Sequence, residues 1–365
     1  MTNLMFNLFL GLIRMKINKN WKDIIMKKQY TVGSLFAGVG GICLGFMNAK
    51  NPDTEYIMSW ANEIDEFACE TYRTNFNHTL LEGDINMVLH PENSDNIEYY
   101  TELHEKILAK PIDILNGGFP CQAFSIAGEQ KGFNDERGNL FMSFIDLINQ
   151  LYAKFRRKPR ILFLENVKNL KTHDKGRTYQ VIKSKLEESG YIIKEIVLNT
   201  MLYSDLPQNR ERIYIIGFLN KDDADQFTMF KNLTPFQKKK RTEERAEDVK
   251  KIIDYSVDDK YYFYTRERYP HYFVTEEEFK KLESKKNVRI NLTETITEMY
   301  QFYQLRRGQY VRKNQSDVCP TLTANMGTGG HNVPLILTPN GIRKLTPAEA
   351  FKLQGFPIEN GYYLP

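Results

Sequence analysis

The sequence is short of cysteine, of clustered histidine and of long apolar runs, and each shortage removes a class of protein. Its four cysteines, Cys43, Cys69, Cys121 and Cys319, stand far apart in 365 residues, with no CxxC pair, and the six histidines do not cluster. A disulfide framework or a zinc site needs such residues close together, so neither is expected, and a reducing, cytoplasmic setting fits. The apolar stretch at residues 4–13 is broken by Asn7 and is too short to span a bilayer. Its positive charges, Arg14, Lys16 and Lys19, come after it, whereas a secretory signal carries them in front. Residues 1–27 therefore read as an extension outside the core, with Met15 and Met26 as alternative starts. Internal repeats and low-complexity tracts are also absent. What is present suits a globular chain that buries a core: 41% hydrophobic and 26% charged residues, in a length fit for one large domain and a smaller one.

Hydrophobic patterning then divides the chain. Residues 30–36 form a β-prone run that ends in Ala37-Gly38-Val39-Gly40-Gly41 and continues as a helix. Further strands are expected at 56–60, 113–115, 160–164, 191–198 and 213–218, with helices at 67–76, 140–152 and 179–189. This alternation predicts an α/β fold with a mostly parallel sheet covered on both faces. The pattern fades after about residue 230, where Lys238-Lys239-Lys240-Arg241 opens a stretch rich in charge and tyrosine. The whole chain carries only +4, and most of its basic excess lies in this second part. Domains are expected at 28–230 and 231–365.

Three places carry chemistry. The glycine-rich turn after the first strand lets backbone approach a ligand, although Cys43 stands where a pyrophosphate-binding turn would place its last glycine. Glu63 ends the second strand, and Asp84 sits where a further strand would end. Together these describe either a nucleoside pocket or a tight turn flanked by helix-capping acids. The sharpest feature is Gly117-Gly118-Phe119-Pro120-Cys121-Gln122, which presents a cysteine just past a strand. A thiolate there would be a strong nucleophile, while Cys43, Cys69 and Cys319 read as core residues. Its candidate partners lie on other strand ends: Glu165, in Glu165-Asn166-Val167, and Arg210 and Arg212, in Gln208-Asn209-Arg210-Glu211-Arg212.

Eight motifs in order, FAGVGG (36–41), NEID (62–65), GDI (83–85), GGFPCQAFS (117–125), ERGNLF (136–141), ENV (165–167), QNRER (208–212) and RKLTPAEAFKLQGFP (343–357), resemble the DNA (cytosine-5)-methyltransferase family of bacterial restriction–modification systems. The resemblance implies a Rossmann-like S-adenosylmethionine-dependent methyltransferase sheet with a smaller, mostly irregular or β target-recognition domain. It implies that S-adenosyl-L-methionine lies over Phe36, Gly38, Gly40 and Gly41, near Pro120. Glu63 would hold the ribose hydroxyls, Ile64 would pack on the adenine and Asp84 would accept from its amino group. Cys121 would attack carbon 6 of a cytosine flipped out of double-stranded DNA, Glu165 would act at nitrogen 3, and Arg210 would hold the base oxygen, with Arg212 beside it in the catalytic set. The glycines of residues 123–139 suggest a lid over the flipped base, or a merely exposed loop. Residues 321–330 resemble the stretch that faces DNA in this family.

The family also carries a Gly-Asn-Ser-Val-type turn and a final helix beyond Leu-Gln-Gly-Phe-Pro, and the sequence stops at Pro365. Three readings follow: a truncated or frameshifted gene, a fragment, or a split enzyme completed by a second polypeptide as partner. The resemblance separately implies a cognate restriction endonuclease acting on the same site, and a membrane is not an expected partner. A tRNA cytosine methyltransferase is the nearest rival, but its Cys-Phe-Thr signature is missing from the recognition region. A catalytically silent DNA-binding remnant is the alternative from another class. A nicotinamide dehydrogenase leaves GGFPCQ and ENV unexplained.

Overall fold

Strand β1 (Lys28–Leu35) starts exposed and ends fully buried, so its carboxyl end points into the centre of the molecule's first layer. This computed structural model describes residues 27–49, 52–119, 139–235, 242–281, 289–327 and 332–365. The chain divides into two compact units. The first takes the described residues of Met1–Leu198, Glu211–Thr234 and Gly361–Pro365; the second takes Asn199–Arg210 and Pro235–Asn360.

In the first unit, helix α1 (Gly41–Asn48) follows β1, and β2 (Thr54–Glu63), α2 (Glu66–Asn75) and β3 (Thr79–Glu82) come next. Helices α3 (Ile85–Leu89) and α4 (Ile97–Ile107) lead to β4 (Ile114–Gly117). Helix α5 (Asn139–Phe155), β5 (Ile161–Val167), α6 (Arg177–Glu188), β6 (Ile192–Asn199) and β7 (Glu211–Phe218) complete it. The seven strands lie in the order β3-β2-β1-β4-β5-β7-β6. The pairs β3–β2, β2–β1, β1–β4 and β4–β5 are parallel, whereas β7 runs antiparallel to β5. The order reverses between β1 and β4, which opens a crevice at the carboxyl ends of the strands, the usual place for a ligand in such sheets.

Each element has a local cause. The run Ile161-Leu162-Phe163-Leu164 is buried on both faces, as a central parallel strand requires. Helix α5 buries Phe141, Phe144, Ile148 and Leu151, spaced by three and four residues, as one face of a helix. Asp65 caps α2 by accepting from the Ala68 amide at 2.8 Å.

The second unit is built on an antiparallel sheet of β8 (Tyr303–Arg306), β9 (Tyr310–Lys313), β10 (Val333–Thr338) and β11 (Gly341–Lys344), in the order β11-β10-β8-β9. Its core gathers Tyr264, Tyr272, Phe273, Leu292, Leu305 and Leu335. Helix α7 (Pro347–Leu353) is closed by a capping box between Thr346 and Glu349. Buried Arg343 forks onto Glu349, with Nη1 at 2.8 Å from Oε2 and Nη2 at 2.6 Å from Oε1. The same carboxylate accepts from the Asp254 and Thr346 amides, so the buried Glu349 charge is met by four hydrogen bonds.

Candidate active site

Because β1 to β5 are parallel and β7 is reversed, the carboxyl ends of five strands and the amino end of β7 share one edge of the sheet. Asp84, Glu63, residues 36–41, Gly118, Glu165 and Arg212 all fall on that edge, in the order of the strands that carry them.

Around the glycine-rich turn the backbone is fixed from several sides. Ala37 N donates to Asn62 O and Gly40 N to Ala37 O, both at 2.9 Å. Gly38 N donates to Glu63 Oε2 at 2.7 Å, and Glu63 Oε1 accepts from the amides of Ile64 at 2.8 Å and Asp65 at 3.0 Å. One carboxylate therefore ties the turn to the end of β2. Gly38 and Gly40 both have positive φ, and they differ in their surroundings. A Cβ on Gly40 would overlap the Phe76 ring, whereas one on Gly38 would meet nothing within 4 Å. Gly40 packs the turn against the protein, and Gly38 faces open space. Phe36 also has positive φ, a costly conformation for an aromatic residue, and its ring packs on Phe144 at 5.8 Å between centroids.

Asn62 secures the next strand end, donating to Leu81 O and Gly83 O at 2.9 Å. Half-buried Asp84 follows; its Oδ1 accepts from the Asn86 amide at 2.8 Å and caps α3. The structure thus shows Asp84 in the helix-capping role. Ile64 is 66% exposed, an apolar side chain held out at the end of β2.

Between β4 and β5 the packing is tighter. Buried Asn116 accepts from Ser34 Oγ at 2.9 Å and donates to Gly33 O at 3.1 Å, pinning β4 to β1. A Cβ on Gly118 would stand 3.3 Å from Glu165 Oε2. Asn166 Nδ2 donates to Phe119 O at 2.9 Å, and the Phe119 ring is clamped by Phe141 and Phe144 at 5.4 and 6.0 Å. Pro120, Cys121 and the expected lid at residues 123–139, up to 138, lie outside the described residues. Glu165 meets Arg212, Nε to Oε1 at 3.0 Å, with both side chains only 12% exposed. The reversal of β7 is what delivers Arg212: the residue pairs with Val167 in the ladder, at the same edge. Arg210 counts with the second unit, where its amide donates to Asn199 Oδ1 at 3.2 Å and its carbonyl accepts from Thr200 N at 2.9 Å.

A family model of C-5 cytosine-specific DNA methylases matches residues 30–364. The chain belongs to that family. It is 43% identical over 329 residues to the type II methyltransferase M.Bsp6I of Bacillus sp. (strain RFL6), covering 89% of this chain and 87% of the relative. It is 36% identical over 330 residues to M1.ScrFI of Lactococcus lactis subsp. cremoris, covering 90% and 70%. Among solved structures, the fold resembles the Dnmt2 methyltransferase of S. pombe, with a TM-score of 0.55 at 17% identity over 90% of this chain and 87% of that one. A putative DNA modification methyltransferase encoded within an E. coli prophage aligns with a TM-score of 0.52 at 21% identity, covering 92% and 90%. The mixed α/β fold, with its parallel-rich sheet and a second small antiparallel sheet, is the fold of these methyltransferases.

In this methylase the three described cysteines are buried and free, as the sequence suggests. Burial raises the Cys43 and Cys319 thiols, and burial followed by Glu82 and Glu63 pushes Cys69 up to about 12. None of the three is a nucleophile at neutral pH. Among the described residues no group of His, Cys, Asp and Glu could hold a metal ion, and no helix is long and apolar enough to cross a membrane. Two features escaped the sequence reading. Phe67, 71% exposed on the first turn of α2, stands three residues after Ile64; an aromatic next to capping acids was the available signal. Tyr362 returns to the first unit and donates to Val39 O at 2.5 Å, and nothing in its local sequence announces that partner.

Proposed function

We propose that this methylase transfers a methyl group from S-adenosyl-L-methionine to carbon 5 of a cytosine flipped out of a specific double-stranded DNA sequence, through a covalent Cys121 adduct. The observation that carries the reading is the strand-end edge on which Glu165, paired with Arg212, faces the Gly118 backbone three residues before Cys121. The cofactor fits the other half of that edge: Gly38 leaves an open cradle, Ile64 offers an apolar face, and Glu63 and Asp84 offer carboxylate acceptors. Phe36, Gly40, Gly41 and Pro120 complete the proposed binding set. The cofactor supplies an electrophilic methyl group.

The chain's own residues then do the following. The Cys121 thiolate forms a bond from Sγ to carbon 6, and carbon 5 gains the nucleophilic character of an enamine. Cytosine is a poor electrophile until nitrogen 3 is protonated or strongly hydrogen-bonded, which is the role of Glu165. Arg212 holds the Glu165 carboxyl in place, and Arg210 holds the base oxygen. Once carbon 5 is methylated, a base, such as water, removes its proton and the Sγ–carbon 6 bond breaks, so the thiolate is regenerated. The base must leave the duplex because the thiolate and the methyl donor approach the faces of the ring, which neighbouring bases cover in the stack. The basic second unit supports DNA contact, and the type II names of the relatives support a partnership with a cognate endonuclease.

Bisulfite sequencing of a plasmid co-expressed with the chain is expected to show methylated cytosines in one sequence context. Cys121→Ser is expected to abolish that signal while leaving DNA binding in a gel shift; methylation that persists in the variant overturns the assignment.

A further inference from the structure

The segment Gly361–Pro365 belongs to the first unit, and its contacts converge on the glycine-rich turn. Tyr362 is fully buried, and its hydroxyl donates to the carbonyl of Val39, the residue between Gly38 and Gly40. The Tyr362 ring meets Phe76 edge-on at 6.3 Å, and Phe76 is the ring that a Cβ on Gly40 would strike. Behind it, Tyr72 packs on Phe76 at 4.4 Å and shares a hydrogen bond with His78 Nε2 at 2.5 Å. The next residue fastens the segment: Tyr363 N donates to Asn75 Oδ1 at 2.6 Å, and Asn75 Nδ2 donates back to Tyr363 O at 2.8 Å.

We propose that Tyr362 is a positioning residue for the cofactor: its hydroxyl holds Val39 so that the Gly38–Gly40 backbone keeps the open shape into which S-adenosylmethionine fits. The other backbone polar groups of this turn are met by Glu63 on Gly38 N, Asn62 O on Ala37 N and Ala37 O on Gly40 N. Tyr362 supplies the hold on Val39 O. A turn fixed on both sides pays its ordering cost on folding rather than on binding, and such preorganisation appears as affinity. The ring packs against Phe76 whether or not the hydroxyl is there, so the hydroxyl's work is separable from the fold. The inference rests on the cofactor reading of this edge given above.

The test measures S-adenosylmethionine and S-adenosylhomocysteine affinity by calorimetry on the full chain, with Tm recorded in parallel. Tyr362→Phe keeps the ring and removes the donor; it is expected to weaken both ligands about three- to tenfold, the worth of one neutral hydrogen bond, with little change in Tm. Asn75→Ala, which frees the segment and leaves the hydroxyl, is expected to weaken them in the same direction. The double variant should fall no further than the worse single one, because both act through one link. Unchanged affinity in Tyr362→Phe, or full additivity in the double variant, overturns the proposal. Glu63→Ala separates this failure from that of the cofactor reading: if Glu63→Ala weakens binding and Tyr362→Phe does not, only the positioning role is lost. If neither variant changes affinity, the cofactor reading falls as well.

Discussion

Glu165 is the residue on which the proposed chemistry turns, and its surroundings explain how one carboxyl can be held for a single task. It projects from the end of a buried strand, against the Gly118 backbone, with the Arg212 guanidinium on its other side. Glu165→Gln keeps the size and can donate to nitrogen 3 but cannot supply a proton. Its kcat is expected to fall about a hundredfold, with DNA affinity changed much less, in single-turnover assays against the wild type. A second carboxylate, Glu349, has an architectural task. Glu349→Ala leaves Arg343 buried without its counter-charge, and denaturant unfolding is expected to show a loss of about 3–5 kcal/mol. The sequence pattern distinguishes these two glutamates only through their neighbours: Glu165 follows four apolar strand residues, and Glu349 stands three residues after a Thr-Pro helix start.

Among the elements, strand ends were more legible than helices. The runs ending at Leu35, Leu164 and Phe218 are apolar and β-branched enough to read as strands, and glycine, proline or acidic residues follow the first two. Helices α3 and α4 were not read: the five residues of α3 are too few to show a helical period, and α4 buries only Leu103 and Ile107 on an otherwise polar sequence. The reversed direction of β7 was equally hidden: parallel and antiparallel strands of a buried sheet share one apolar pattern. The aromatic clamp of Phe36, Phe119, Phe141 and Phe144 joins two strand-end loops to helix α5, and no short-range rule connects them. One prediction belongs to the wall behind the glycine-rich turn. Burial lowers His78 from its ordinary 6.5 to about 4, so the imidazole stays neutral in the folded protein while the unfolded chain takes up a proton. Its effect is to remove stability as pH falls from about 6.5 towards 4, with no further loss from this group below that. Thermal unfolding across this window is expected to show a steeper fall in Tm for the wild type than for His78→Gln; equal slopes would exclude the histidine as the cause.

For the molecule as a whole, the motifs at 36–41, 62–65, 83–85 and 165–167 were legible because each sits at the carboxyl end of a strand, where the chain must turn and the residue choice is narrow. The partition into units was harder, because twelve residues of the second unit, Asn199–Arg210, interrupt the first in sequence. The unevenness of charge bears on function here. If the second unit carries DNA through phosphate contacts, log–log plots of affinity against salt should be linear, with a slope of about −0.9 for each phosphate neutralised. A flat salt dependence in filter binding would remove the electrostatic part of the argument.

The twelve-residue excursion has one more consequence. Cys319 N donates to Pro207 O and Asn209 N to Cys319 O, both at 2.8 Å, while Thr321 Oγ1 donates to Asn209 O at 2.7 Å. Within the second unit, the QNRER motif is thus stitched to residues 319–321 by hydrogen bonds that any pair of foreign segments would have to reproduce. An exchange that crosses Cys319 must bring its own matching 207–209, and chimaeras that ignore this pairing inherit a broken seam beside Arg210.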